Sequence, residues 1–289
     1  MESLVYKDTE GNSITLTDRP YILNVLDGAD GLKNDLYTTK GLGQDGYTIT
    51  DKTVQKRALS LKGYILAENT EDVEIYKRRL LTMFNPKNKG SFVYSFGDMS
   101  KKIDVEVETG PIFSKDVTAR TQNYIVNLIA PDPYWRDTID NKTDIALWRG
   151  KFNFPLFIPK AKGIIMGVRE PSLIANINNP GDIETGMLIE FRAKATVVNP
   201  SLFNINTREY IKINKTMAAG EVIKINTNYG NKKITSNTNG VETDILNLLD
   251  ITSTFLQLAK GDNLLRYDAD TGLDNLEISI YNTPGYVGV

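Results

Sequence analysis

The chain has 289 residues, 40% of them hydrophobic and 24% charged, with a formal net charge of -2 at pH 7; two soluble domains are predicted because one hydrophobic core rarely serves so long a chain. The balanced charge excludes the basic surface typical of nucleic-acid binding, and no apolar run reaches the roughly 20 residues needed for membrane insertion. Because cysteine and histidine are both absent, disulfides, thiolate metal sites and the usual histidine-based catalytic sites are excluded.

The first 26 residues are predicted to form short antiparallel strands. Leu4 and Tyr6 alternate with polar residues, and Ile14 and Leu16 do the same. The Gly-Asn pair at 11–12 lies between these two runs and is typical of a hairpin turn. The sequence therefore predicts a hairpin at the beginning of the first domain.

The polar, glycine-rich residues 27–54 are predicted to form a projecting arm. Asp-Gly pairs and isolated glycines in this stretch indicate turns, and little of it has strand-like composition. Such an arm can bind a neighbouring copy by adding a strand to it. The candidate subunit contacts are the larger apolar and aromatic side chains of the arm, which are Leu36, Tyr37, Tyr47, Ile49 and Val54.

One helix is predicted, over about residues 70–84. Asn69 or Thr70 can cap its start by accepting hydrogen bonds from free backbone N–H groups, and acidic residues follow in the first turn, where the helix dipole favours them. Apolar residues recur at helical spacing from Val73 to Phe84, so one face of the helix is expected to pack on the core. An Asn-Pro pair ends it.

Alternating apolar and polar residues predict strands before the helix, over 57–67, and after it, over 90–130. The last of these strands differs from the others because it is apolar on both faces. Its two alternating sets are Tyr124, Val126 and Leu128 on one side and Ile125, Asn127 and Ile129 on the other. A strand with two apolar faces is expected at the centre of a sheet.

A proline-rich run is predicted to end the first domain and to act as an interdomain hinge. It consists of Pro131, Asp132, Pro133, Tyr134 and Trp135. The two prolines restrict the backbone at this point, and the aromatic side chains can close the core.

The predicted domains are residues 1–136 and 161–289, with an irregular linker over 137–160. In the second domain, strand-like runs alternate with turn residues at intervals of about 8–12 residues, which is typical of a β-sandwich. One of these runs is the short apolar stretch 164–168. The predicted fold class is mainly β with one helix, with a β-sandwich-like first domain and a β-sandwich second domain.

Two patterns could indicate chemistry, and both have a simpler interpretation. The Gly-x-Gly-x-x-Gly run at 41–46 lacks the buried strand before it and the helix after it that a dinucleotide site needs. Asp104, Glu106 and Glu108 share one strand face, where a carboxylate pair could cleave glycosides but where solvated charges are also expected. We therefore predict no catalytic residue, no metal ligand and no cofactor site, and we predict that the chain is not an enzyme.

Several stretches in chain order resemble the distal tail protein family of tailed bacteriophages. In the first domain these are residues 57–63, the helix residues 76–81 and the Ala-Pro-Asp-Pro-Tyr-Trp run at 130–135. In the second domain they are 179–182, 190–192, 206–211, 220–221 and 260–263. The arm at 27–54 is the part that matches the family least.

This resemblance implies a virion structural protein at the distal tail tip, or baseplate, assembled in the host cytoplasm. First domains would form a hexameric ring that the arm helps to close, and the second, galectin-like β-sandwich would project outward. The implied partners are further copies of the chain, the tail tube protein, a tail-associated lysin or central hub protein, receptor-binding or baseplate proteins and host-surface carbohydrate.

Two other functions stay open from the sequence. A carbohydrate-binding module could stack some of the 14 tyrosines and 2 tryptophans on sugar rings, although Trp135 and Trp148 fall between the predicted domains. A carboxylate-pair glycosidase would use Asp104 and Glu106. Sugar titration tests the first alternative, and release of reducing ends from host polysaccharide tests the second.

Overall fold

The computed structural model describes residues 2–117, 120–145, 148–150, 167–169 and 173–289. These residues form many β-strands, one α-helix and two short 3-10 helices. The predicted class, mainly β with one helix, is therefore confirmed. Within the described ranges, no helix combines the length and apolar character needed to span a membrane.

The strands up to residue 137 are β1 Glu2–Asp8, β2 Ser13–Thr15, β3 Tyr21–Asp27, β4 Asn34–Thr39, β5 Thr48–Val54, β6 Arg57–Leu66, β7 Lys89–Phe96, β8 Met99–Val117, β9 Thr121–Ala130 and β10 Trp135–Asp137. The later strands are β11 Asn141–Ile145, β12 Trp148–Gly150, β13 Gly167–Arg169, β14 Ile174–Asn179, β15 Met187–Ala193, β16 Val197–Asn204, β17 Tyr210–Lys212, β18 Thr216–Met217, β19 Val222–Asn226, β20 Lys233–Thr238, β21 Val241–Asp244, β22 Gly261–Thr271, β23 Leu276–Asn282 and β24 Gly285–Tyr286. The helix α1 is Thr70–Met83, and the 3-10 helices are Leu246–Leu248 and Leu273–Asn275.

The chain divides into two compact units, and its last five residues belong to the first. Unit 1 contains Met1–Thr138 together with Gly285–Val289, and unit 2 contains Ile139–Pro284. The second unit is therefore an insertion in the first, with two covalent connections. Both connections begin in unit 1, where β10 and β24 form an antiparallel pair in which Trp135 lies opposite Tyr286.

Unit 1 is built on one antiparallel sheet with the strand order β2-β1-β7-β8-β9-β6-β3, to which β10 and β24 are added beside β8. One face of this sheet carries the core. In β6, Leu59, Leu61 and Ile65 are buried while the alternate residues are not. Gly63 interrupts this apolar row because the Tyr124 ring opposite it leaves no space for a side chain; a Cβ at Gly63 would lie 2.7 Å from the tyrosine hydroxyl.

Helix α1 packs on the same core. The Asn69 side chain caps its start by accepting a hydrogen bond from the backbone N–H of Asp72 at 2.8 Å. Leu80 and Phe84 are fully buried, and the Phe84 ring lies 4.4 Å from that of Tyr6 between their centroids. The helix therefore begins where the sequence predicts and packs through the predicted face.

Unit 2 is a β-sandwich. One sheet has the order β11-β23-β15-β19-β20-β21, and the other has the order β14-β22-β16-β17 with β18 beside β16. Buried apolar residues of both sheets form one core between them, as in other sandwiches, and they include Phe191 and Ile223 from the first sheet and Leu202 and Leu265 from the second.

The structure draws the domain limits differently from the sequence pattern at two places. Within the predicted linker 137–160, Asn141–Ile145 form β11, an edge strand of unit 2 in which only Ile145 is fully buried. Such a strand lacks the apolar alternation that reveals half-buried strands. The tail Gly285–Val289 joins unit 1 through long-range pairing, for which the local sequence carries no signal. Residues 148–150 of the predicted linker also form a strand, β12, which pairs with β13. Residues 146–147 and 151–160 of the linker and most of the predicted 164–168 strand lie outside the described residues.

Candidate assembly site

The predicted arm forms a two-stranded hairpin that makes a sheet of its own. Its strands β4 and β5 pair only with each other among the described strands, and every residue in both strands is exposed. The five candidate contact residues range from 39% exposed for Val54 to 69% for Tyr47. We call residues 34–54 the hairpin arm. An isolated hairpin is only marginally stable in water, so a partner surface would stabilise it.

The pairing register places three of the candidate residues on one face of the hairpin arm. A bulge follows Tyr37, and the register then resumes. Since residues 34, 36 and 38 of β4 point to one side, their cross-strand partners point there as well. Leu36, Ile49 and Val54, which we call the hairpin triad, share this face, and each lies opposite a polar residue: Leu36 opposite Lys52, Ile49 opposite Thr38 and Val54 opposite Asn34.

The other two candidates are not part of this face. Tyr37 lies opposite Asp51, on the side of the hairpin that also carries Asp35. Tyr47 lies in the loop, where the ammonium group of Lys40 is 5.4 Å from the centre of its ring. The structure therefore separates the predicted contact residues into an apolar triad and two peripheral tyrosines.

A buried arginine holds the chain that leads into the hairpin arm. Arg57 is 3% exposed, and its Nη1 donates to the carbonyl oxygens of residues 28–30 at 2.5, 2.8 and 3.2 Å. Its Nε donates to the carbonyl of Pro133 at 2.7 Å, and its Nη2 donates to the carbonyl of Val287. We call this group the Arg57 clamp. It joins the base of the arm, the end of the first domain and the C-terminal tail.

The positive charge of the Arg57 guanidinium is bound by backbone carbonyl oxygens. Burial lowers the pKa of the Arg57 guanidinium, and the nearby negative charge of Asp30 opposes that change. Arginine suits this place because it stays charged when buried and presents five donors in a fixed planar arrangement. The guanidinium supplies charged donors to these carbonyl groups, of which that of Ala29 also accepts from the Trp135 indole, and the loss of such donors from a largely buried site is costly.

The predicted hinge residues are integrated into unit 1. Trp135 is fully buried, and its indole N–H donates to the carbonyl of Ala29 at 3.0 Å. The carbonyl of Pro133 is a clamp partner. Asp132 forms an ion pair with Arg136 at 2.7 Å. Two of these residues therefore contact the clamp or the base of the arm.

The C-terminal tail is fixed at a second place. The Lys101 ammonium lies 3.3 Å from the centre of the Tyr286 ring and 2.5 Å from the carboxylate of Asp137. The Tyr286 hydroxyl donates to the same carboxylate at 3.2 Å. Sequence reasoning missed both the clamp and this cluster, since each joins residues far apart in the chain and the clamp binds main-chain atoms.

The carboxylates considered for glycoside cleavage do not form one site. Asp104 and Glu106 line a cavity of about 520 Å³, whereas Glu108 lines a different cavity of about 470 Å³ at the base of the arm. The Asp104 and Glu106 side chains are 75% and 52% exposed and pair with lysines at 3.0 and 3.1 Å. Among the described residues, no group of three or more acidic side chains could hold a metal ion.

The aromatic side chains considered for sugar binding are dispersed. Trp135 and Tyr267 are buried and cannot stack on a ligand. Tyr229 is exposed, and its hydroxyl lies 3.5 Å from the Glu184 carboxylate. The Trp148 side chain lies outside the described part of the chain.

Two protein-family models match the chain, in the order of its two units. The phage tail protein RIFT-related domain matches residues 9–130. The siphovirus-type tail component, C-terminal domain, matches residues 180–283. No curated protein sequence matches the chain.

Solved structures with a similar fold come from phage tails. The crystal structure of the Dit protein of SPP1 is similar with a TM-score of 0.72 and 14% identity, covering 98% of each chain. A chain of the phage P2 baseplate in its activated conformation with Ca is similar with a TM-score of 0.57 and 11% identity, again over 98% of each chain. The same baseplate with Sr gives a TM-score of 0.55 and 10% identity, over 97% of this chain and 98% of the other.

At sequence identities of 10–14%, the solved structures show that the fold is shared. The protein family is assigned from the two family models. Together the two models cover most of both units, and they do so in the order that the resemblance at residues 57–63, 130–135 and 179–182 implies. The chain belongs to the siphovirus-type distal tail proteins, structural components of the phage tail.

Proposed function

We propose that the chain is the hub subunit of a phage tail tip and closes into a hexameric ring. In this role unit 1 forms the ring and stacks on the tail tube protein. The ring also binds the tail-associated lysin or central hub protein, and unit 2 projects toward receptor-binding or baseplate proteins. The subunit is made and assembled in the host cytoplasm and resides at the distal end of the virion tail.

The observation that carries this proposal is the hairpin arm. It presents the triad Leu36, Ile49 and Val54 to solvent, although apolar side chains gain about 25 cal/mol for each Å² removed from water. Its base is held by the Arg57 clamp. A fixed base that carries an exposed apolar face is the arrangement expected of a segment that binds another subunit.

The solved relatives support the place of this subunit in the tail. The SPP1 protein is described as a paradigm of a hub adsorption apparatus in phages that infect Gram-positive bacteria, and the P2 structures are of a baseplate. A subunit with the same fold over almost its whole length is suited to the same place, where it binds other tail components.

A purely structural role fits the observed side chains better than either alternative considered from the sequence. Asp104 and Glu106 are solvated and each pairs with a lysine, whereas both carboxyl groups of a glycosidase must face the scissile bond. The buried rings of Trp135 and Tyr267 cannot form a sugar platform. We therefore propose that the chain binds proteins and catalyses no reaction.

Electron microscopy of the purified chain, with and without its hairpin arm, tests the proposal. The backbone N–H of Gln55 donates to the carbonyl of Lys33 at 2.9 Å, so an Asn-Gly turn can replace residues 34–54 without moving their neighbours. We expect six-fold rings for the natural chain, with a particle mass near six times 32.3 kDa, and folded monomers for the variant. Rings formed without the hairpin arm, or a natural chain that stays monomeric at high concentration, would contradict it.

A further inference from the structure

Residues 285–289 return to unit 1 and lie against the base of the hairpin arm. Gly288 packs directly on Asp30, because a Cβ atom at this glycine would be only 2.8 Å from the Asp30 carbonyl oxygen and 3.1 Å from the Asp30 Cα. The carbonyl oxygen of Val287 accepts a hydrogen bond from the Arg57 guanidinium. We call residues 285–289 the brace.

The base is the place where the hairpin arm is held. Every residue of β4 and β5 is exposed, so burial does not hold these strands in place. At the base, the Trp135 indole donates to the carbonyl of Ala29 at 3.0 Å, and the backbone N–H of Gln55 donates to the carbonyl of Lys33 at 2.9 Å. The brace adds a backbone contact at residue 30, which lies between these two places in the chain.

We propose that the brace controls assembly: the hairpin arm binds a neighbouring subunit tightly only when residues 285–289 are seated against Asp30 and Arg57. This inference rests on the proposed function, in which the arm joins the copies of the chain. An arm with a fixed base loses less conformational entropy when it binds than an arm that moves freely about its base. The seated brace therefore strengthens binding although it does not touch the partner.

The position of the brace in the chain has a consequence for the timing of assembly. The other groups at the base lie in residues 28–33, 55–57 and 133–135, all of which precede unit 2 in the chain. The brace follows residue 284, so it is synthesised only after the whole of unit 2. A chain in which unit 2 is incomplete therefore has an arm without its brace, and tight assembly is delayed until the subunit contains both units.

Two glycines at this place provide a matched pair of variants. Gly288→Ala must displace the brace or the base, because the nearest atoms that the new methyl group would meet all belong to the Asp30 backbone. Gly31→Ala is the control, since Gly31 belongs to the same base, a Cβ there meets nothing within 4 Å, and its φ lies outside the left-handed region. Neither substitution alters the hairpin triad.

Sedimentation velocity over a series of protein concentrations compares both variants with the natural chain. We expect the concentration needed for half-assembly to rise roughly ten-fold or more for Gly288→Ala, because the unbraced arm must be ordered on binding. The same concentration should be unchanged for Gly31→Ala. Hydrogen exchange of the unassembled proteins is the second measurement. In Gly288→Ala, exchange of the backbone amides in residues 28–33 and 55–57 should accelerate about ten-fold more than exchange in β1 and β7 of the unit 1 sheet.

The outcomes separate this inference from the proposed function. Rings formed by the natural chain and by Gly288→Ala at the same concentration overturn the brace as a control of assembly and leave the ring intact. Equal impairment of Gly288→Ala and Gly31→Ala also overturns it, because the effect is then not specific to the brace. Equal acceleration of hydrogen exchange at the base and in β1 and β7 would show that the brace supports unit 1 as a whole, which again overturns the inference. Absence of rings in the natural chain overturns both proposals.

Discussion

The base and the exposed apolar face of the hairpin arm have opposite physical characters. At the base, the Arg57 guanidinium is buried among carbonyl groups from three separate parts of the chain. On the apolar face, Leu36 and Ile49 are more than half exposed and contact no core. The base is stabilised by the fold of one subunit, whereas the apolar face gains nothing until it meets another molecule.

This difference explains how a polar, glycine-rich segment can serve assembly. A flexible arm loses conformational entropy when it binds, and each ordered residue costs roughly 1–2 kcal/mol. The clamp removes part of that cost in advance by fixing residues 28–30 and 57 in the folded subunit. Substitutions of the clamp should therefore change the stability of unit 1, and substitutions of the hairpin triad should change assembly alone.

A single fluorescence reporter makes this comparison measurable. The chain has two tryptophans, and Trp135 is buried in unit 1 beside the clamp. Replacing Trp148 by Phe leaves Trp135 as the only indole. Urea unfolding followed by its emission then reports on unit 1, and the following variants are compared in that background.

Arg57→Leu should have the largest effect on stability. The substitution removes all the charged hydrogen bonds of the clamp from a largely buried site, so we expect the free energy of unfolding of unit 1 to fall by about 4 kcal/mol. Lys56→Ala is the matched control, since Lys56 is exposed and adjacent, and it should change the same quantity by less than about 0.5 kcal/mol. Equal free energies of unfolding for the two variants would show that the clamp does not stabilise the base.

Ending the chain after Pro284 should have the next largest effect. It removes β24, the Tyr286 ring that packs on Lys101, and the carbonyl of Val287 that binds Arg57. We expect unit 1 to lose about 2–3 kcal/mol of its unfolding free energy. Val287→Ala keeps the carbonyl and should be close to the natural chain. A truncated chain as stable as the natural one would mean that the tail does not stabilise unit 1.

Tyr286→Phe should have a smaller effect that separates the two contributions of this side chain. The ring stays over Lys101, and only the hydrogen bond from the hydroxyl to Asp137 is lost. A loss of about 0.5–1 kcal/mol is expected in the same urea experiment. If the loss equals that of the whole truncation, the hydroxyl rather than the strand and the clamp carbonyl holds the tail.

The sequence was a good guide to the parts of unit 1 that depend on local pattern. The pairing of Tyr6 with Ile14 around a Gly-Asn turn, the Asn69 cap of α1 and the alternation of Leu59 and Leu61 are all in the structure. Each follows from periodicity or from a side chain that acts within a few residues. These elements can therefore be predicted without knowledge of tertiary contacts.

The base of the arm could not be predicted in the same way. The clamp joins Arg57 to positions 28–30, 133 and 287 through main-chain oxygens, which every residue possesses, so the partners leave no trace in the sequence. The candidate contacts in the arm were identified as apolar residues in a polar segment. Their division into the hairpin triad and Tyr37 depends on the register across a bulge, which the composition does not reveal. That they contact another subunit stays a prediction.

The most direct test of the account compares assembly and stability in one variant, with Leu36, Ile49 and Val54 all replaced by Ser. Because these side chains are exposed, the unfolding free energy of unit 1 should change by less than about 0.5 kcal/mol, while sedimentation velocity should show a monomer where the natural chain shows a ring. Tyr37→Ser, on the opposite face of the hairpin, serves as the control and should assemble. A triple variant that still sediments as the ring of the natural chain would contradict the central claim.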